Sequence, residues 1–248
     1  MKNLAILPLL LASAAIAQEQ PQGVPPLEVN VVGGTNAVTA IAVPAMPTAP
    51  GVQPGLGRQI AEVIASDLRS TGLFTPLGPD GLGSYSQDAA SAPAYATWRS
   101  AGAAQLVAGY VETNGADRLT LACYIHDVSA ARELAHQGFA VAASDWRRAA
   151  HKCADIVYSR LSGETGFLDT RIVYVAETGP KNNRTKRLAI MDSDGSDHRY
   201  LTLGDSTVTT PRFSPTGDRL VYMTTMGRRP RVMIMDVASG TKRSRRSP

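Results

Sequence analysis

The sequence predicts an α+β protein: a small N-terminal mixed α/β domain followed by an incomplete C-terminal β-propeller of under two blades. Three observations carry this reading. First, a phrase repeats near the chain's end. Arg171-Ile172-Val173-Tyr174-Val175 returns as Arg219-Leu220-Val221-Tyr222-Met223, an offset of 219 − 171 = 48 positions. Ala189-Ile190-Met191-Asp192-Ser193-Asp194-Gly195 returns as Met233-Ile234-Met235-Asp236-Val237-Ala238-Ser239-Gly240, with Asp236 offset from Asp192 by 236 − 192 = 44. A repeat of about 40–45 residues built of short alternating strands is the mark of a propeller blade. Second, the repeats carry turn chemistry at fixed places. Asp194-Gly195 and Ser239-Gly240 suit hairpins, and Phe213-Ser214-Pro215-Thr216-Gly217-Asp218 reverses through Pro215 and Gly217. Third, helical periodicity occurs only before residue 163.

Charge excludes one broad class. The formal net charge of +4 belongs to the two ends: Lys242, Arg243, Arg245 and Arg246 supply four and Lys2 one, leaving 4 − 4 − 1 = −1 for the body. A nucleic-acid-binding domain would carry its basic residues on the folded surface.

Taken in order, residues 1–17 read as a secretory signal. Lys2 is the basic head, Leu4 to Leu11 the apolar core, and Ala15-Ile16-Ala17 a small-x-small cleavage site before Gln18. The apolar run is too short to span a bilayer, and no cysteine follows the cleavage site to carry a lipid. A polar, Pro-rich lead covers 18–26. Leu27-Glu28-Val29-Asn30-Val31-Val32 alternates like a strand and ends at Gly33-Gly34.

The domain over 27–163 continues with a strand at Thr39–Val43 and a proline-rich loop. An amphipathic helix over 55–70 carries Leu56, Ile60, Val63, Ile64 and Leu68 on one face and is stopped by Gly72. A strand at Phe74–Leu77, a Gly/Ser-rich loop and a short helix at Pro93–Ala101 follow. Strands are expected at Leu106–Glu112, Leu119–Ile125 and Arg132–Val141. A long helix capped by Ser144 runs through Trp146, Ala149, Ala150, Cys153, Ile156, Val157 and Leu161 to Gly163. The partial propeller occupies 168–241, and 242–248 is a basic tail with no strand pattern.

No Gly-x-Ser-x-Gly, Walker loop, Gly-x-Gly-x-x-Gly or His-Glu-x-x-His occurs. His126, His136, His151 and His198 have no partner at ligand spacing and read as solvated or core-satisfied. Asp192, Asp194 and Asp197 resemble the start of a calcium loop, but Leu203 stands where that loop needs a terminal Glu, so a blade hairpin is the better reading. No cofactor or metal is expected. Cys123 lies on the apolar face of a strand and Cys153 on that of a helix. Export permits a disulfide. However, layers about 10 Å apart and a helix radius of about 2.3 Å put facing Cα atoms some 7–8 Å apart, past the usual limit. Two buried free thiols are therefore expected.

Several stretches together resemble the TolB family, periplasmic components of the Tol–Pal system. They are Asp67-Leu68-Arg69-Ser70-Thr71-Gly72-Leu73-Phe74, then Leu161-Ser162-Gly163-Glu164-Thr165-Gly166-Phe167 leading into Thr170–Val175, then Phe213–Gly217 and Met235–Gly240. The order of a signal, a small α/β domain and a propeller strengthens the likeness. The resemblance implies a non-enzymatic periplasmic adaptor between inner-membrane TolA and outer-membrane Pal, serving envelope integrity and cell division. It implies that TolA captures a mobile N-terminal strand, which carries over to Leu27, Glu28, Val29, Asn30, Val31 and Val32, and that Pal binds the propeller surface. Strand capture is physically sound, because an exposed strand offers unpaired N–H and C=O groups; the alternative is that 27–32 pairs within its own sheet.

The sequence departs from the family twice. Thr216 stands where an Asp usually precedes the turn glycine, and family propellers have six blades where 168–241 supplies under two. Two further readings differ in kind: the propeller portion of a prolyl-oligopeptidase-type peptidase, which would need a Ser-His-Asp domain, and a stand-alone exported ligand-binding module.

Overall fold

A computed structural model describes residues 38–226 and 229–244. The expected signal, the Pro-rich lead, the Leu27–Val32 strand and the last four residues of the basic tail lie outside the described residues.

The first part is a lobe built on one sheet. Strand β1 (Thr39–Ala42) leads to helix α1 (Leu56–Ser70), which returns to β2 (Phe74–Leu77). After a loop and the short helix α2 (Tyr95–Ser100) come three long strands, β3 (Gln105–Thr113), β4 (Arg118–Asp127) and β5 (Arg132–Ala142). Helix α3 (Trp146–Ser162) closes the lobe. The sheet order is β2-β1-β3-β4-β5, with β1 parallel to β2 and β3 and the remaining pairs antiparallel.

Helices α1 and α3 cover one face of this sheet. The apolar stripe read in the sequence, Leu56, Ile60, Val63, Ile64 and Leu68, is buried against Ile41, Val107, Leu121, Ile125 and Val157. Gly57 lies within that stripe for a steric reason. A Cβ there would stand 1.8 Å from the Met46 carbonyl oxygen, so only glycine lets the 46–48 segment lie across the helix's first turn. The opposite sheet face packs a second cluster around Trp98, Leu106, Ala108 and Val128, with Tyr85 against it.

Strand β1 is too short to cover β3, pairing with it only through Gln105 and Leu106. Beyond that point the Tyr85 hydroxyl stands in for a strand. It donates to the Gly109 carbonyl at 2.7 Å and accepts from the Gly109 N–H at 2.8 Å. Val111 N–H then donates to Pro47 O at 3.0 Å, and Ala49 N–H to Val111 O at 2.8 Å. Backbone groups that the missing strand would have paired are thus satisfied from elsewhere in the chain.

Two expectations for α3 are corrected. Ser144 does not cap it: a 3-10 turn over Ala143–Asp145 precedes the helix, which starts at Trp146 without a side-chain cap. The Ser144 hydroxyl instead donates to Asp145 Oδ1. At the other end Gly163 closes the helix at φ 79°, as read.

The second correction concerns the cysteines. Cys123 and Cys153 form a disulfide, with Cα atoms 5.9 Å apart. The assumed layer spacing was too wide for this contact. The buried face of α3 is mostly alanine here, Ala149, Ala150 and Ala154 flanking Cys153, and Cys123 is paired with Gly109 on the neighbouring strand. Small residues let helix and sheet approach closely enough for the bond.

Past Gly163 the chain is held to α3 by Asp155, with Arg148 Nε 3.4 Å from Asp169 Oδ1 and Tyr158 packed edge-on to Phe167. Asp155 Oδ1 accepts from Leu168 N–H at 2.5 Å and Oδ2 from Asp169 N–H at 3.2 Å.

The repeats then form two sheets. β6 (Arg171–Thr178), β7 (Thr185–Asp192) and β8 (Arg199–Tyr200) make an antiparallel three-stranded sheet. β9 (Thr207–Phe213), β10 (Arg219–Met226), β11 (Arg229–Asp236) and β12 (Lys242–Ser244) make a four-stranded one in meander order. Among the described residues neither sheet closes a ring. The tail was expected to be irregular, yet Lys242–Ser244 pairs with Met233–Met235. A three-residue strand exposed on both faces has no alternation for a sequence reading to detect.

The sheets pack face to face. Val173 and Val175 of β6 and Leu188 and Ile190 of β7 meet Val208, Leu220, Tyr222 and Met235. Equivalent repeat positions therefore face opposite partners. Leu220 and Tyr222 point into the shared core, whereas Ile172, their counterpart in the first repeat, is exposed on the outer side. Val221 and Met223 are likewise exposed on the far side of the second sheet. Each blade is apolar on both faces, as stacking demands.

Candidate functional site

The most concentrated chemistry lies where the lobe meets the first blade. α1 carries Asp67 inside its apolar stripe, and α3 carries His151 inside its own. His151 Nδ1 is 2.6 Å from Asp67 Oδ2, and the two residues are 2 % and 3 % exposed. The far side of the imidazole looks into the blade. Nε2 is 3.6 Å from Asp192 Oδ2, at the end of β7, and 4.0 Å from Asp194 Oδ2, in the β7–β8 turn. Nε2 is buried and makes no hydrogen bond. Arg147, one turn before His151 on α3, donates to Asp194 Oδ2 at 2.5 Å.

Burial and charge compete at each of these groups. Burial alone would push the His151 pKa down, but the Asp67 hydrogen bond and the charges of Asp67, Asp194 and Asp192 outweigh it, so the pKa lies above its ordinary value. Burial pushes the Asp67 carboxyl up, against the pull of His151. Burial also raises Asp192, His151 again opposing. For Asp194 burial is overcome by the Ser196 N–H, Arg147 and His151, which hold its carboxyl below the usual range.

Asp67, His151 and Asp194 have the side-chain types of a metal site. Both Asp194 oxygens, Asp67 Oδ2 and His151 Nδ1 are already engaged, however. Asp194 Oδ1 accepts from Ser196 N–H at 2.8 Å, its Oδ2 accepts from Arg147, and Asp67 Oδ2 is taken by Nδ1. The arrangement is suited to holding a proton between carboxylates.

Beside it, a cleft of about 500 Å³ opens between the start of α3 and both blades, lined by Arg148, Arg171, Arg199, Asp192, Asp218 and Asp236 among others. Arg171 anchors it. Its Nη2 donates to Gly217 O at 2.9 Å, which ties the first blade to the turn of the second. Burial, with Arg148 and Arg199 nearby, lowers its pKa from the usual value.

The other sequence candidates are placed plainly. His126 is a satisfied core histidine, bonded to Ala90 O and the Tyr95 hydroxyl. His136 pairs with Glu133 at the surface, and His198 lies edge-on to Tyr200 and tilted against Tyr174. The Asp192–Asp197 segment is the hairpin turn that was read. Leu27, Glu28, Val29, Asn30, Val31 and Val32 lie outside the described residues. His151 is where the sequence reading fell short, since Asp67 comes from 84 positions away. A signal was present: Asp67 sits between Ile64 and Leu68, and His151 between Ala150 and Ala154, both within buried stripes. Polar residues so placed require a partner.

Two sequence families match the chain. Residues 27–134 match the TolB amino-terminal domain, and residues 158–247 match the TolB beta propeller domain. Among curated relatives, the Tol-Pal system protein TolB of Zymomonas mobilis is 50% identical over 220 residues, covering 86% of this chain and 48% of that protein. Tol-Pal system protein TolB 1 of Novosphingobium aromaticivorans is 45% identical over 246 residues, covering 94% of this chain and 54% of that protein. The chain thus spans about half the length of the curated relatives it matches. Its fold is similar to that of TolB from Acinetobacter baumannii, with a TM-score of 0.65 at 23% identity over 84% of this chain and 49% of the other. With a lobe matching one TolB domain and blades matching the next, in the same order and over most of its length, this chain belongs to the TolB family.

Proposed function

We propose that the chain is a periplasmic, non-catalytic adaptor of the Tol–Pal system, joining TolA to Pal. The observation that carries this is the pairing of a TolB-type lobe with TolB-type blades, in relatives named for that system. The junction chemistry is of a structural kind: His151 and its carboxylates lie between α1, α3 and the first blade.

In this reading TolA takes Leu27, Glu28, Val29, Asn30, Val31 and Val32 as an added strand. Main-chain hydrogen bonds supply affinity and the alternate side chains supply register. Pal would take the propeller surface where the propeller is complete, which the two open blade sheets do not make by themselves. The test is deletion of residues 18–32. TolA binding is expected to be lost while the circular dichroism and melting of the lobe stay unchanged. Undiminished TolA affinity in the deletion variant would overturn the assignment of the strand.

A further inference from the structure

The His151 cluster spans the junction between the lobe and the first blade. Asp67 comes from α1 and His151 from α3, both in the lobe; Asp192 and Asp194 come from the first blade. The charged groups facing the imidazole are Asp67 from α1, Arg147 from its own helix, Asp192 from β7 and Asp194 from the turn. With His151 neutral, three carboxylates and one guanidinium leave −3 + 1 = −2 in a largely buried space. A proton on His151 brings this to −1.

The geometry fixes where that proton goes. Charge complementarity favours a proton on Nδ1 facing the Asp67 carboxylate, 2.6 Å away, in both ring states. The titrating position is therefore Nε2, buried and unbonded, opposite Asp192 and Asp194. In the neutral ring a lone pair faces two carboxylates and the contact is repulsive. In the charged ring Nε2–H faces Asp192 Oδ2, and the same contact becomes an attraction across the junction.

We propose that His151 is a proton-operated latch between lobe and first blade, closed when Nε2 carries a proton and loosened when it does not. The raised pKa of His151 supports this and sets the sign. A histidine whose folded-state pKa exceeds its unfolded value stabilises fully below about 6.5 and loses that contribution as pH rises through the folded value. The latch is therefore closed at mildly acidic pH and loosens as pH rises through the His151 folded-state value, which lies above the usual one.

The test uses the full chain labelled with 15N. Long-range 1H–15N spectra of the imidazoles between pH 5.5 and 8.5 are expected to show His151 titrating above the usual histidine value, with Asp192→Asn moving its midpoint down. Hydrogen exchange in the 192–197 turn and the 163–170 segment, corrected for intrinsic rate, is expected to accelerate several-fold above that midpoint. In His151→Gln the pH dependence should vanish. A His151 that stays neutral from pH 6 upward, or junction exchange that ignores pH in the wild-type chain, would overturn the latch. Both readings are made on the unsubstituted protein, so a variant that fails to fold does not blunt the test.

Discussion

Replacing Cys123 and Cys153 together by alanine tests the closest packing in the lobe. The bond closes a loop with a sequence separation of 30 residues. On the chain-entropy account, a loop of that length contributes about 3.7 kcal/mol at 25 °C by restricting the unfolded chain. Both residues are also buried to within 1 % of full burial, so alanine leaves small voids that add to the cost. For a lobe of this size the total corresponds to a fall in Tm of about 10 °C or more. Thermal and urea melts of wild type and double variant, each with and without a strong reductant, supply the measurement. Reductant should lower the wild-type midpoint toward that of the variant, the void cost being the remaining gap, and the variant should be indifferent to it. Two titratable thiols in the native wild-type protein, with unchanged midpoints on reduction, would refute the reasoning and restore the wider helix–sheet spacing.

Two other substitutions probe single contacts. Tyr85→Phe keeps the ring but strips both hydrogen bonds from Gly109, leaving a buried N–H and C=O unpaired; a loss of about 2–4 kcal/mol is expected in urea unfolding, and a loss under 0.5 kcal/mol would mean that water replaces the hydroxyl. Asp155→Ala frees the Leu168 and Asp169 amides and should cost about 1–3 kcal/mol. Its distinguishing effect is faster limited proteolysis between Gly163 and Thr170, with the lobe fragment itself still resistant.

Local patterning revealed the scaffold well. α1 and α3 announced themselves by apolar spacing, and β6, β7, β10 and β11 by alternation repeated at a fixed offset. What escaped depended on tertiary approach or on exposure. The disulfide turned on how closely an alanine-lined helix can lie on a strand beside Gly109, a distance that no spacing along the chain encodes. β12 escaped because both its faces are wet. The His151 cluster escaped because its members come from two helices and a distant turn, although Asp67 and His151 each broke an apolar stripe and so advertised a need for partners. The strand assigned to TolA lies at 27–32, outside the described residues, and rests on alternation and family likeness.

The Tyr85 plug has a consequence for how the lobe can recruit another strand. A five-stranded sheet with a short inner strand would normally offer a third docking place, the uncovered flank of β3 beyond Ala42. Here that flank is taken by the Tyr85 hydroxyl and by residues 47–49. Among the described residues this leaves the two outer rims of the lobe sheet, β2 and β5, for strand addition. They are unequal: β2 has four residues, one of them Pro76, which has no N–H to give, whereas β5 presents eleven. Polar side chains such as Arg132, Glu133, His136 and Gln137 stand exposed along β5 and discourage indiscriminate pairing. A guest strand of more than a few residues thus has one rim long enough to zip along, and it must bring side chains that tolerate a charged neighbour.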